Sequence, residues 1–110
     1  MSSDQTLACV LICNGKHCRG QTRDRLREML AKADLAVEDT HCLRVCRGPV
    51  VLTQIGGQWE AVSRLRGKRA RANLLRAVQR QRRRPVRKRL VRGAKREHAI
   101  ARGHVAKRQA

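Results

Sequence analysis

The sequence has almost no aromatic residues: Trp59 is the only one among 110 residues, and Tyr and Phe are absent. Surfaces that stack nucleic-acid bases use several aromatic side chains, so recognition by base stacking is not expected. Apolar runs are only a few residues long, far short of the ~20 residues that a transmembrane helix needs. Residues 1–6 lack the basic start of a signal peptide, and we therefore expect a cytoplasmic protein.

Acidic residues are almost missing from the second half of the chain. Residues 1–63 contain 8 Lys and Arg against 7 Asp and Glu, whereas residues 64–110 contain 19 against 1. The net charge of +19 therefore belongs almost entirely to the second half. Composition divides the chain into a domain over residues 1–81 and an Arg-rich tail over residues 82–110, which we expect to be disordered or helical. Such a tail is predicted to bind polyanions, including nucleic acid, without sequence preference.

The hydrophobic pattern predicts a small α/β sandwich with the order β-α-β-β-β-α. The predicted elements are a strand at 7–12, a helix at 22–33, a short strand at 36–38, a hairpin at 50–62 and a helix at 67–81. The helix at 22–33 has apolar residues at intervals of three and four, and the hairpin has a Gly-Gly turn. A domain of this size buries a marginal core, so we expect additional stabilisation from a metal, disulfides or a partner subunit.

Four of the five cysteines form two close pairs. Four residues separate Cys13 from Cys18, and three separate Cys42 from Cys46. Each pair adjoins a predicted strand end, so two loops can bring four thiolates together, which suits a [2Fe-2S] cluster in which each iron takes two thiolates. A structural zinc site with the same four ligands stays open as an alternative. Cys9, inside the first predicted strand, is interpreted as a buried thiol without a metal role.

Two motifs surround these pairs. The first is Cys13-Asn14-Gly15-Lys16-His17-Cys18-Arg19-Gly20, followed by the amphipathic helix; the second is Cys42-Leu43-Arg44-Val45-Cys46-Arg47-Gly48-Pro49-Val50-Val51, followed by the hairpin with Trp59. Over about residues 7–78 the chain resembles the thioredoxin-like [2Fe-2S] ferredoxins, a module that also occurs in the small iron–sulfur subunit of NADH dehydrogenases. The basic tail lies outside the family pattern.

This resemblance implies a fold, a cofactor and a set of ligands. The implied fold is a thioredoxin-like sandwich with a small mixed sheet and two helices, often dimeric, and the implied cofactor is a [2Fe-2S] cluster. Gly48 and Pro49 become the turn that returns the chain to the sheet beside the cluster. The implied cluster ligands are Cys13, Cys18, Cys42 and Cys46.

The predicted function is that of a one-electron carrier, with the tail docking an acidic redox partner or another polyanion. The sequence contains no nucleophile–base pair and no phosphate-binding glycine loop, so we do not expect an enzyme. Lys16, Arg19, Arg44 and Arg47 lie one or two residues from a predicted ligand and are expected to favour the reduced cluster. The alternative function is a small nucleic-acid-binding protein in which zinc stabilises the fold.

Overall fold

The structure is a computed structural model that describes residues 9–13, 21–40 and 48–109. Its elements are β1 (Cys9–Cys13), α1 (Gln21–Lys32), β2 (Ala36–Thr40), β3 (Val51–Ile55), β4 (Gln58–Val62), α2 (Lys68–Arg80), a 3₁₀ helix (Arg84–Arg89) and α3 (Gly93–Gln109). No helix in these ranges has the length and apolar character that crossing a membrane requires.

The four strands form one mixed sheet in the order β2-β1-β3-β4. Strands β1 and β2 are parallel and are connected through α1, whereas β3 runs antiparallel to both β1 and β4. At one end of the sheet lie the register pairs Cys13–Thr40 and Val51–Val62, and we call this the cysteine end. The opposite end, where the turn Gly56-Gly57 joins β3 to β4, is called the hairpin end.

The predicted mixed α/β class and the order β-α-β-β-β-α are confirmed. Strand β2 is two residues longer than predicted, and α1 begins at Gln21, one residue before the predicted start. The hairpin has the predicted two-residue turn, with φ of +62° at Gly56 and +83° at Gly57. Glycine adopts positive φ without the steric penalty that a Cβ imposes, and this explains the sharp connection at that point.

Helices α1 and α2 cover one face of the sheet. The buried residues of this first core are Val10, Ile12, Leu26, Leu30, Val51, Ile55, Val62, Leu65, Ala70, Leu74, Ala77, Val78 and Val86. Leu26 and Leu30 are one turn apart in α1, and Leu74 and Val78 are one turn apart in α2, so each helix presents one apolar stripe. Residues two apart in a strand share a face, which places Val10 and Ile12 together under these helices.

Helix α3 covers the opposite face of the sheet, so the basic tail is helical and contributes to the core. The buried residues of this second core are Leu11, Cys13, Val50, Leu52, Ala61, Val91 and Ala99. Gly103 allows the close approach of α3, because a Cβ on this residue would lie 2.1 Å from Cδ2 of Leu52. Since Val86 lies in the first core and Ala99 in the second, the predicted division between residues 81 and 82 separates two parts that pack together.

The segment between α2 and α3 follows the outer edge of β4. Leu90 pairs with Val62 in an antiparallel bridge, and the Val91 N–H donates to the Ala61 carbonyl oxygen at 2.8 Å. These contacts occupy backbone groups that an edge strand would otherwise expose to pairing with another chain. The basic tail therefore covers the outer edge of β4 before α3 packs on the second face of the sheet.

Candidate metal centre

Cys13 is the predicted ligand whose position the structure describes. It is the last residue of β1 and is 2% exposed, within the core under α3. Its backbone N–H donates to the Val50 carbonyl oxygen at 2.9 Å, just before β3 begins. Burial and this hydrogen bond hold Cys13 where β1 leaves the sheet and where the chain enters β3.

The other three predicted ligands, Cys18, Cys42 and Cys46, lie outside the described residues. The segments that carry them, residues 14–20 and 41–47, connect described positions. Residues 14–20 follow Cys13, and residues 41–47 join Thr40 to the turn before β3, so both segments attach to the sheet at the cysteine end. Within residues 9–13, 21–40 and 48–109, no three His, Cys, Asp or Glu side chains are grouped as they would be around a metal ion.

Gly48 and Pro49 form a buried bend directly before β3, joined by a cis peptide bond. The Leu65 N–H donates to the Pro49 carbonyl oxygen at 3.2 Å, and Arg66 Nε donates to the Gly48 carbonyl oxygen at 3.0 Å. The loop after β4 therefore holds this bend in place. Because Val50 follows directly and accepts the Cys13 N–H, the bend lies beside the end of β1.

Thr40 is a neighbour of Cys13 that the sequence did not single out. It is buried and is the Cα partner of Cys13 in the parallel pair β1–β2, so the two side chains lie on the same face of the sheet. In the described part of the chain, Thr40 Oγ1 is a buried atom without a hydrogen-bond partner. An unsatisfied buried hydroxyl costs about 1–3 kcal/mol, so a native structure usually provides a ligand, ion or water for it.

A carboxylate on β2 balances the cations of α1 near the same end of the sheet. Asp39 forms ion pairs with Arg23 and Arg27, which are one turn apart in α1. Asp24 lies 3.9 Å from Arg23 as a further partner. These contacts fasten the first half of α1 to the end of β2, and they neutralise two of the arginines there.

A second ion cluster lies around Glu60 of β4, and the sequence did not predict it. The Glu60 side chain is 7% exposed and accepts hydrogen bonds from Arg83 Nε at 2.6 Å and from Arg96 Nε at 3.0 Å. Arg96 Nη2 also donates to the Trp59 carbonyl oxygen at 2.9 Å. The hydrogen bond to Glu60 raises the pKa of Arg96 above its ordinary value. The sequence signal was a single carboxylate in β4, followed by a segment that is rich in arginine.

The structure describes two residues at the cysteine end that bear on the predicted metal site, Cys13 and Thr40. The predicted donor set is four thiols, which is the ligand set of both [2Fe-2S] clusters and structural zinc sites. The unpaired Thr40 hydroxyl beside Cys13 is a donor suited to a negatively charged sulfur. Comparison of the chain with protein-family models, with curated proteins and with solved structures found no match.

Proposed function

We propose that the protein is a one-electron carrier that holds a [2Fe-2S] cluster through four cysteines, Cys13, Cys18, Cys42 and Cys46. The observation that carries the proposal is the attachment of both cysteine-bearing segments to one end of the sheet. Cys13 is paired with Thr40, and Cys42 is two residues beyond Thr40. Two residues span at most about 7 Å, so the chain keeps Cys42 close to the neighbour of Cys13.

We propose further that the fold is a thioredoxin-like variant of the mixed α/β class. Support comes from the four-stranded mixed sheet with α1 and α2 on one face. The second face is covered by α3, which belongs to the basic segment that lies outside the family motif. In this proposal the basic segment is both an outer layer of the sandwich and a source of surface charge.

The described residues would support the cluster in three ways. When bound, the cluster accepts and releases one electron. Burial and the hydrogen bond to Val50 fix the backbone of Cys13 at the end of β1, beside the segments that carry the other three cysteines. The Thr40 hydroxyl is available to donate to a sulfur, and the excess of cations stabilises the additional negative charge of the reduced state.

The test is the visible spectrum of the protein purified without oxygen. A [2Fe-2S] protein is red-brown and bleaches when dithionite adds one electron, and we expect this behaviour from the full-length chain in a reducing cytoplasm. A colourless preparation whose spectrum does not respond to dithionite would contradict the proposal. Reconstitution with iron and sulfide under reducing conditions serves as the control for cluster loss during purification.

The second candidate function is binding of nucleic acid by a zinc-stabilised protein. It is favoured by the 19 Lys and Arg against 1 acidic residue in residues 64–110, which predict a salt-dependent affinity for polyanions. Zinc would use the same four thiolates and would be colourless. One zinc per chain, together with DNA binding that weakens steeply with salt, would favour this function over electron transfer.

A further inference from the structure

We propose that a basic surface at the cysteine end is the docking site for an acidic redox protein that exchanges electrons with the cluster. This inference rests on the proposed function and adds the partner class and the surface that receives it. The surface, which we call the basic collar, consists of Arg64, Arg66, Lys68, Arg69, Arg71 and Arg89.

The collar lies beside the candidate metal centre because β4 ends there. Val62, the last residue of β4, pairs with Val51 at the cysteine end, and the loop that follows carries Arg64 and Arg66. Arg66 Nε donates to the Gly48 carbonyl oxygen at 3.0 Å. Two residues later, the Val50 carbonyl oxygen accepts the Cys13 N–H at 2.9 Å. A short path of contacts therefore links Arg66 with the strand end that carries Cys13.

The hydrogen bonds of the collar hold its arginines without neutralising them. Arg66 donates to the carbonyl oxygen of Gly48, Arg71 Nη1 to that of Arg66 at 2.7 Å, and Arg89 Nε to that of Arg64 at 3.3 Å. A carbonyl oxygen carries no net charge, so each bond positions a guanidinium while its positive charge remains. The remaining positive charge attracts an acidic surface. Because the guanidinium groups are already held in place, less side-chain freedom is lost when such a surface binds.

The first turn of α2 adds positive charge where a helix least favours it. Lys68 and Arg69 are exposed in this turn, and it contains no acidic residue. The N-terminus of a helix already carries a partial positive charge, so each cation there costs about 0.3–1 kcal/mol at low ionic strength. Residues that contradict the local preference of a helix, and do not stabilise the fold in return, are typical of functional surfaces. Here the violation strengthens the positive field around the cysteine end.

An acidic protein fits this surface better than a nucleic acid does. Electron exchange needs the partner close to the cluster, and the collar lies at the end of the sheet to which both cysteine-bearing segments attach. Complementary charge would orient such a partner and accelerate its encounter. The single aromatic residue, Trp59, is partly buried and packs against the second core, so it offers little surface for stacking bases.

The experiment compares two variants of the full-length, cluster-loaded protein with equal loss of charge. In the collar variant, three exposed residues are neutralised as Arg64→Gln, Lys68→Gln and Arg69→Gln, which leaves the anchored arginines intact. The matched control neutralises three exposed residues near the other end of α2, as Arg80→Gln, Arg82→Gln and Arg84→Gln. The 13 residues of α2 separate the two sites by about 20 Å.

The readout is the rate at which small cobalt(III) complexes oxidise the dithionite-reduced protein. The reduced cluster transfers one electron and cobalt(III) becomes cobalt(II), so the reaction is balanced with one complex per cluster. With the anionic oxidant [Co(EDTA)]⁻ at about 0.1 M ionic strength, where the Debye length is about 10 Å, the collar variant should react severalfold more slowly than wild type. With the cationic [Co(NH₃)₆]³⁺ it should react faster. The control variant should change both rates by less than about twofold.

A macromolecular probe then tests the partner class. Poly-L-glutamate should slow the oxidation of wild type and of the control variant by [Co(EDTA)]⁻, and it should have little effect on the collar variant. Equal effects on the collar and control variants would overturn the docking site. Slowing by duplex DNA of about 20 base pairs, without slowing by poly-L-glutamate, would also overturn it in favour of nucleic acid. A wild-type protein without a cluster would instead overturn the proposed function, and with it this inference.

Discussion

The two ends of the sheet hold their arginines in different ways. Toward the hairpin end, Arg83 and Arg96 are paired with the buried carboxylate of Glu60 at 2.6 and 3.0 Å. At the cysteine end, on the β4 side, Arg66 and Arg89 donate to neutral carbonyl oxygens. The first arrangement uses charge to join α3 to the sheet, whereas the second keeps charge available at the surface. The 19 Lys and Arg of residues 64–110 therefore include arginines that join the layers of the fold and arginines whose charge stays available at the surface.

The largest expected effect comes from removing a ligand at the cysteine end. Cys13→Ser should abolish the cluster, because a four-thiolate site cannot hold two irons in the same way with a serine in place of one ligand. Cys9→Ser provides the matched control, since Cys9 lies at the other end of the same strand and should be dispensable for the cluster. Iron content and visible absorption measure both variants. Equal cluster content in the two would contradict the ligand assignment.

The next largest effect is expected from a substitution that removes the ion pairs of Glu60. Glu60→Gln removes the charge that two arginines share in a buried site and should lower the free energy of unfolding by about 3 kcal/mol. Glu97→Gln is the control, because Glu97 is exposed and also pairs with Arg96, so its loss should cost less than about 1 kcal/mol. Urea unfolding followed by circular dichroism measures both. Similar free energies of unfolding for the two variants would show that the ion pairs of Glu60 stabilise the fold no more than the exposed pair of Glu97 with Arg96.

The direction in which pH changes the stabilisation by the Glu60 ion cluster follows from the pKa of Arg96. The hydrogen bond to Glu60 raises the pKa of Arg96, so its contribution is fully present below the ordinary arginine pKa and is lost only as the pH rises through the higher value. The stability difference between wild type and Glu60→Gln should therefore stay constant between about pH 7 and pH 10. A difference that disappears within this range would exclude Arg96 as the partner that matters.

A smaller effect concerns the packing of α3 on the sheet. Gly103→Ala should destabilise the protein by about 1–3 kcal/mol, because the added Cβ would meet Cδ2 of the fully buried Leu52 at 2.1 Å. Helix propensity alone predicts the opposite sign, a gain of about 1 kcal/mol. Thermal unfolding decides between them. Combining Gly103→Ala with Leu52→Val should cost less than the sum of the two single changes, which would tie the penalty to this contact.

The smallest expected effect is on the reduction potential, and it sharpens the role of Thr40. Thr40→Val removes the buried hydroxyl but keeps the shape of the side chain. If the hydroxyl donates to a cluster sulfur, its loss should lower the potential by roughly 20–60 mV, as a hydrogen bond of about 0.5–1.5 kcal/mol implies. Redox titration measures the shift. In the metal-free chain the same variant should be no less stable than wild type, since no described residue accepts that hydrogen bond.

The elements of the first core could be predicted because their sequences carry strong periodic signals. Leu26 and Leu30 recur at helical spacing, and the hairpin strands flank two glycines at the turn. The packing of α3 could not be predicted in the same way, because it buries small residues, Ala99 and Gly103, among many charges. Small residues give a weak hydrophobic signal, although they allow a helix to approach a sheet closely.

For the candidate metal centre, the sequence predicted the short intervals between cysteines but not the long-range contacts around them. The pairs Cys13–Cys18 and Cys42–Cys46 are visible in the sequence as short intervals. The pairing of Cys13 with Thr40 depends on strand register across 27 positions, and the contact of Arg66 with Gly48 depends on the return of the chain after β4. Such long-range contacts follow from the assembled sheet and not from local propensity.

The most direct test of the proposed cluster is the content of iron, acid-labile sulfide and zinc in the full-length protein purified anaerobically. A [2Fe-2S] carrier should contain about two irons and two sulfides per chain with little zinc. The Cys9→Ser variant should have the same composition, and the Cys13→Ser variant should contain neither iron nor sulfide. One zinc per wild-type chain without sulfide would contradict the electron-transfer function and leave the four cysteines as a structural zinc site.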